Sequence, residues 1–325
     1  MIPRPTKGGE AVVAGFEKIV VVTKKTQLDE LVERFNTRGQ ARFYVEHMGL
    51  SFDEYVAAHE AYVAALDTLT RSLPAGVRLQ VIERSFLPTF VFGPADLVVT
   101  VGPDGLVVNT AKYVDAQPIV AVNPDPSRMD GVLLPFGVGD AIEALPGIAA
   151  GHFGEAAISM ARARLNDGQE LLALNDLFIG RRTHVSARYS LRVGAYMEDQ
   201  SSSGIIVSTG AGSTGWLRSV ITGASRVIEA FAEDPQVVAA RDQYRFEWAS
   251  DTLMFSVREP FVSRASQANL VFGRIEPDIR FEVISQMPSD GVIFSDGVEA
   301  DYLAFNSGAI AMIEIADRKL RLVTD

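Results

Sequence analysis

Three short stretches of the sequence combine residue types that could do chemistry. The first is Gly210-Ala211-Gly212-Ser213-Thr214-Gly215, which follows an apolar run and opens into a segment with Leu217, Val220, Ile221, Ala224, Val227, Ile228 and Phe231 at helical spacing. A helix start wrapped in Gly, Ser and Thr offers free N–H donors, hydroxyls and a positive dipole end to a phosphate or a ribose. The same residues could simply cap the helix and make a tight turn. The second stretch is Gly102-Pro103-Asp104-Gly105-Leu106, directly after the strand-like residues 96–101. Asp104 there is either a catalytic carboxylate at the edge of a sheet or part of a common Pro-Asp-Gly turn. The third is Asn175-Asp176 in an otherwise apolar segment, where two polar neighbours must either cap a local turn or face a ligand.

The glycine turn spells G-x-G-x-x-G, but its context is wrong for a Rossmann fingerprint. That motif belongs to a first βαβ unit and needs an acidic residue ending the next strand about 20 residues on. Here Glu229 and Glu233 lie on or just beyond the helix, and the motif stands in mid-chain. Among lesser candidates, Asp296-Gly297 is a hairpin signal. Arg258 and Arg264 are either surface arginines or phosphate contacts. The four histidines show no metal-ligand spacing, so no protein metal site is expected, and the P-loop pattern is absent.

These residues need elements to position them. Residues 18–23 are a β-branched run, and residues 27–37 carry Leu28, Leu31, Val32 and Phe35 at helical spacing. Ser51, with Glu54 three residues on, reads as a capping box opening a long amphipathic helix. Strands follow at 77–83, 96–101 and 118–123, with a short helix at about 106–114. Alternating β and α units imply a parallel sheet covered by helices, with ligands at the carboxyl ends of its strands. Beyond a proline-containing turn and a helix at about 140–153, alternating strand-like runs separated by turn residues imply antiparallel sheet. The expected fold is therefore an α/β N-terminal domain, residues 1–136, and a β-rich second domain, residues 137–311. A C-terminal segment of about 312–325 is expected to pack back on the first.

The bulk numbers narrow the function. A chain of 325 residues with 47% hydrophobic and 22% charged residues is an ordinary globular protein of about two domains. Its net charge of −11 disfavours nucleic acid and anionic membranes as partners, although a small anionic ligand can still be held by local N–H groups. With no cysteine, disulfides, thiolate metal sites and cysteine nucleophiles are excluded. The first residues lack the apolar core of a secretory signal, and no run approaches a membrane span, so a cytoplasmic protein is expected.

Taken in order, the Asp-Gly loop, the Asn-acid pair, the glycine-rich turn opening a helix and the terminal Asp296-Gly297-Val298 segment resemble the NAD kinase family. "VTKKT", "VNPDPSRMDGVLLP", "MFSVREP" and "NSGAIA" look most like its mitochondrial type. The resemblance implies phosphorylation of the 2′-hydroxyl of the adenosine ribose of NAD, with ATP and Mg²⁺, giving NADP. It implies Asp104 as the base, Gly102 and Gly105 in the nucleotide loop, and Asn175 and Asp176 on the ribose and base of NAD. Thr209, Gly212, Ser213, Thr214, Gly215, Trp216 and Ser219 would form the dinucleotide-binding turn, with Trp216 in place of the usual tyrosine. A homodimer or higher homo-oligomer follows by the same analogy. Three positions depart from the family pattern: Pro103 for glycine, Leu106 for threonine, and Ser203 where most bacterial members carry aspartate. Pro103 removes a backbone N–H and Leu106 a hydroxyl, changes that favour the first of two alternatives. One is an NAD(P)-binding sensor without catalysis; the other is a related kinase acting on a lipid or sugar-like acceptor.

Overall fold

The computed structural model describes residues 15–73, 76–231 and 244–324; the N-terminal residues on which the absence of a secretory signal was read, and Glu233, lie outside them. The chain divides into two compact units, Met1–Ala156 with Arg321–Asp325, and Ala157–Leu320.

The first unit is α/β. It contains β1 (Lys18–Thr23), α1 (Gln27–Phe35), α2 (Arg38–His47), α3 (Phe52–Arg71), β2 (Arg78–Glu83), β3 (Asp96–Val101), α4 (Asp104–Ala111), β4 (Ile119–Asn123), β5 (Phe136–Gly137) and α5 (Val138–Ala149). The sheet runs β2-β1-β3-β4 with every pair parallel, and β4 also pairs in parallel with β5 and with Leu322 near the C-terminus. β3 and β4 are buried at every residue, as parallel strands covered on both faces must be.

The helices differ in detail from the sequence expectation. The capping box forms at Thr26 and Asp29, which exchange side-chain and backbone hydrogen bonds at the start of α1. Ser51 sits at the N-cap of α3 but makes no capping hydrogen bond. What starts that helix is burial of Phe52, which packs with Leu28, Ala41 and Val45 of α1 and α2. Thr26→Ala is expected to lower stability by about 1 kcal/mol in chemical denaturation, whereas Ser51→Ala should change it little. α2 has no counterpart in the sequence reading.

The boundary between units falls after α5, at 156/157, where the sequence suggested 136/137. The reason is packing: Ala141, Leu145 and Ile148 of α5 join Val99, Val120 and Phe136 in the core of the first unit.

The second unit is built of strands: β6 (Gly154–Leu165), β7 (Glu170–Ala173), β8 (Asp176–Arg181), β9 (Ala187–Val193), β10 (Tyr196–Ser202), β11 (Ile205–Ser208), then α6 (Trp216–Phe231), and β12 (Leu253–Val257), β13 (Phe272–Ile275), β14 (Phe281–Ser285), β15 (Gly291–Ser295), β16 (Val298–Ala304) and β17 (Ile310–Thr324). β10-β9-β14-β17 form one antiparallel group, with β6 beside β17 and β7 beside β6. β13-β12-β11-β8-β15-β16 form a second, wholly antiparallel sheet. Leu177, Ile179, Val207, Phe255 and Ile293 of that sheet pack on Tyr189, Leu191, Phe281 and Val283 of the first group. Because side chains alternate along a strand, burying Leu177 and Ile179 in this core turns Asp176, Phe178 and Gly180 to the opposite face. No described helix is long and apolar enough to cross a membrane.

Candidate functional site

In the first unit the chemistry gathers where β3 ends. Pro103 is the N-cap of α4, at φ −73° and ψ 168°, angles its ring accepts without strain. Asp104 is therefore the first residue of a helix, and the plain Pro-Asp-Gly turn is not what forms. The N–H of Leu106 donates to the Pro103 carbonyl at 2.8 Å, while those of Asp104 and Gly105 have no acceptor among the described residues. Two donors thus remain open at the helix start despite the proline.

Leu106, where the family pattern has a hydroxyl, is buried at 1% exposure. Its side chain lies under the loop: a Cβ on Gly102 would come within 3.0 Å of Leu106 Cδ2 and 3.7 Å of Lys24 Cγ. Gly102, at φ 154°, combines this close approach with a backbone conformation that favours glycine, whereas a Cβ on Gly105 would meet nothing within 4 Å.

The half-buried Asp104 carboxylate holds the loop that follows β4. Its Oδ1 accepts the N–H of Leu133 at 2.7 Å and its Oδ2 that of Val132 at 3.1 Å. Each oxygen has two lone pairs, so both can still accept a proton or another donor. Tyr62 of α3 braces the same edge, donating to the Val101 carbonyl and accepting from Lys24 N–H, each at 3.1 Å. The Lys24 ammonium has no carboxylate partner among the described residues, unlike Lys25, which pairs with Glu33 at 2.7 Å.

In the second unit Leu174 and Asn175 form the break between β7 and β8, and Asp176 opens β8, a segment that reads in sequence as one run. Asp296, in the turn between β15 and β16, accepts three successive N–H groups there: Leu174 at 3.2 Å on Oδ2, and Asn175 at 2.8 Å and Asp176 at 3.3 Å on Oδ1. Its own N–H returns a bond to the Asp176 carbonyl at 2.9 Å. Thr209 clamps the other side, its N–H on the Asn175 carbonyl at 2.9 Å and its hydroxyl on the Leu174 carbonyl. The Thr209 hydroxyl also accepts the N–H of Gly212 at 3.2 Å. A Cβ on Gly212 would lie 2.0 Å from the Asn175 carbonyl oxygen. The Asn-Asp pair and the glycine turn are therefore one packed construction.

Within the turn, Ser213 is buried and its hydroxyl donates to the Gly210 carbonyl at 2.7 Å, while the Thr214 hydroxyl donates to Ala211 at 3.4 Å. Neither caps the helix. Thr214, Gly215 and Ser219 are exposed at the start of α6. Trp216, the first residue of α6, stacks on Phe178 with centroids 5.7 Å apart, and Phe178 stacks on Phe294 at 4.8 Å. Phe178 lies flat because Gly180 and Gly204 leave room for it; a Cβ on either would fall within 2.7 Å of its ring. The Arg258 guanidinium sits 5.5 Å from the Trp216 ring centre. These rings, with Arg181, Arg182, His184 and Ser203, line a cavity of about 510 Å³. Arg264 lines a different hollow, beside Met197 and Asp199.

Burial pushes the Asp176 carboxyl up to about 7, and the neighbouring Asp296 charge pushes in the same direction. Asp176 is 8% exposed, and its side chain makes no hydrogen bond or ion pair among the described residues. Among those residues no group of three or more His, Asp or Glu side chains converges as a metal cage. Sequence reasoning missed Asp296, which its composition marks as a hairpin turn; Asp296 and Gly297 do take the positive φ values, 56° and 71°, of such a turn. It also missed Phe178, Tyr62 and Lys24. Only Phe178 left a trace, its two-residue spacing from Asp176 and Gly180.

No family model matches the chain. Among curated proteins it is 25% identical to NAD kinase 2, mitochondrial, of Rattus norvegicus, covering 79% of this chain and 77% of that protein. It is 35% identical to the NAD kinase of Heliobacterium modesticaldum (strain ATCC 51547 / Ice1) over 37% of this chain and 44% of that protein. Among solved structures, yeast NADH kinase complexed with NADH superposes with a TM-score of 0.58 at 12% identity, over 95% of this chain and 84% of that one. An NAD kinase from Archaeoglobus fulgidus in complex with ATP gives 0.55 at 17% identity, over 94% and 92%. At these identities the structures speak for the fold.

Proposed function

We propose that this chain, which is similar to NAD kinases over most of its length, transfers the terminal phosphoryl group of ATP to the 2′-hydroxyl of the adenosine ribose of NAD, giving NADP and ADP. The observation that supports this most directly is the Asp104 carboxylate at a helix start, beside two N–H groups without acceptors. In the reaction Asp104 takes the proton of the 2′-hydroxyl, the freed oxygen bonds to the γ-phosphorus, and the bond from that phosphorus to the β–γ bridging oxygen breaks. Such a transfer asks the protein chiefly to position groups and to stabilise charge. The N–H groups of Asp104 and Gly105 and the Lys24 ammonium are suited to the donor phosphates. Mg²⁺, bound to the phosphates of ATP, would supply charge neutralisation there.

Asn175 and Asp176 hold the adenosine, and the exposed Thr214, Gly215 and Ser219 contact the dinucleotide from the start of α6. Trp216 offers a ring face. Thr209, Gly212 and Ser213 act from beneath, as the packing that holds the turn. A homodimer or higher homo-oligomer and a cytoplasmic site of action complete the reading.

The test is to incubate the pure protein with NAD, ATP and Mg²⁺ and to measure NADP. Pro103 and Leu106 make a second outcome informative: no NADP, with NAD still raising the melting temperature, replaces the kinase by an NAD-binding sensor. Gly105→Ala separates fold from chemistry at this loop. A Cβ there meets nothing within 4 Å, and alanine suits a helix better than glycine by about 0.8–1.0 kcal/mol. The variant is expected to melt slightly higher yet to turn over more slowly, with a raised KM for ATP, because the methyl group occupies space over the open N–H groups.

A further inference from the structure

We propose that Asp296 is a positioning residue for dinucleotide recognition: its carboxylate holds the β7–β8 break in place, and its charge governs when Asp176 can accept a ligand hydroxyl. This inference rests on the reading of the site as an NAD site.

The first half of the argument is geometric. Residues 174–176 present three consecutive N–H groups, and an ordinary β ladder cannot satisfy all three at a break between strands. Asp296 satisfies them with its two oxygens, 2.8–3.3 Å away, from a residue 120 or more positions distant in the chain. A left-handed backbone at Asp296, φ 56°, brings the carboxylate back over the sheet from the tip of the β15–β16 hairpin. Any uncharged residue there would leave at least one of these groups short of an acceptor.

The second half concerns Asp176. Among the described residues the buried Asp176 side chain has no hydrogen-bond partner, which leaves its oxygens available to a ligand, and ribose hydroxyls are donors a carboxylate accepts strongly once ionised. The Asp296 carboxylate opposes that ionisation through like charge, and burial opposes it more. The adjacent strand and turn bring no charge: Ser208 of β11 lies opposite Asp176 in the ladder, and residues 208–217 contain no ionisable side chain. Asp176 is thus poised to lose its proton near neutrality, and ligand binding draws that proton off.

The test is calorimetric NAD affinity from pH 5 to pH 9 for the wild type, Asp296→Asn and Asp176→Asn, with melting temperatures alongside. For the wild type, affinity should fall about tenfold per pH unit below the midpoint. Asp296→Asn keeps an oxygen for Asn175 N–H but drops the charge. Its midpoint should move to lower pH by about one unit, with weaker binding on the plateau. Asp176→Asn should bind more weakly and show a flat profile over the same range. A wild-type midpoint left unmoved in Asp296→Asn overturns the inference, since a purely structural residue would weaken binding equally at every pH. If Asp296→Asn does not fold, a pH dependence that persists in Asp176→Asn overturns it instead. Absence of NAD binding by the folded wild type at every pH overturns the NAD reading itself, and the inference with it.

Discussion

Asp104→Asn is expected to lower the rate of NADP formation by roughly 10²–10⁴-fold, the range for loss of a general base, while NAD binding persists. The substitution is nearly isosteric. Its amide oxygen can still accept the N–H of Leu133, which lies 2.7 Å from Oδ1 in the native protein, but its NH₂ group then faces the N–H of Val132. The loop after β4 should loosen at a cost of about 1 kcal/mol, which a melting curve reads. The loss in rate should far exceed anything that cost explains. Steady-state kinetics at saturating NAD and ATP decide the matter, because a missing base lowers kcat whereas a displaced loop raises KM. A variant retaining more than a tenth of the native kcat would place the base elsewhere.

Gly212→Ala should be the most damaging single-methyl substitution in the proposed site. The added Cβ would stand 2.0 Å from the Asn175 carbonyl oxygen and 2.5 Å from its carbon, and neither is the end of a flexible side chain. Relief requires the turn and the β7–β8 break to move apart, which also strains the Thr209 bonds to Leu174 and Asn175. Overpacking of this kind costs about 1–3 kcal/mol. NAD affinity should disappear with it, since the groups displaced are those proposed to hold the adenosine. Gly223→Ala, in the middle of α6 with nothing within 4 Å of its Cβ, serves as the control. That change should stabilise by about 0.8–1.0 kcal/mol and leave binding alone. Unchanged melting and NAD affinity in Gly212→Ala would mean that the turn does not pack on Asn175 as described.

Much of the fold was legible because its signals are local. The β-branched run of β1, the buried run of β3 and the apolar stripe of α6 each announce their type within a few residues. The errors came where packing overrules local signals. Ser51 and Glu54 spell a capping box that does not form, because Phe52 finds a pocket among α1 and α2. α5 joins the first unit because its apolar face meets Val99 and Val120, which lie about 40 and 20 residues earlier. β6 was not anticipated at all. For the site, the motifs were visible while their roles stayed divided: Ser213 and Thr214 read equally as helix caps, and their hydroxyls in fact close the turn onto its own carbonyls.

By itself the sequence determined the two-part α/β and β-rich plan, the resemblance to NAD kinases, and the candidates Asp104, Asn175, Asp176 and the 209–219 turn. Those are properties of composition, periodicity and motif, readable one window at a time. Tertiary structure alone decided which residues hold those candidates and in what electrical setting. Leu106 replaces a hydroxyl because its side chain is core, and Pro103 is tolerated because an N-cap accepts its φ. Asp296 reaches the β7–β8 break from 120 residues away, and no local pattern carries that information. Hydrogen bonding and charge act over a few ångströms of space, and only the folded chain brings such distant residues within that range.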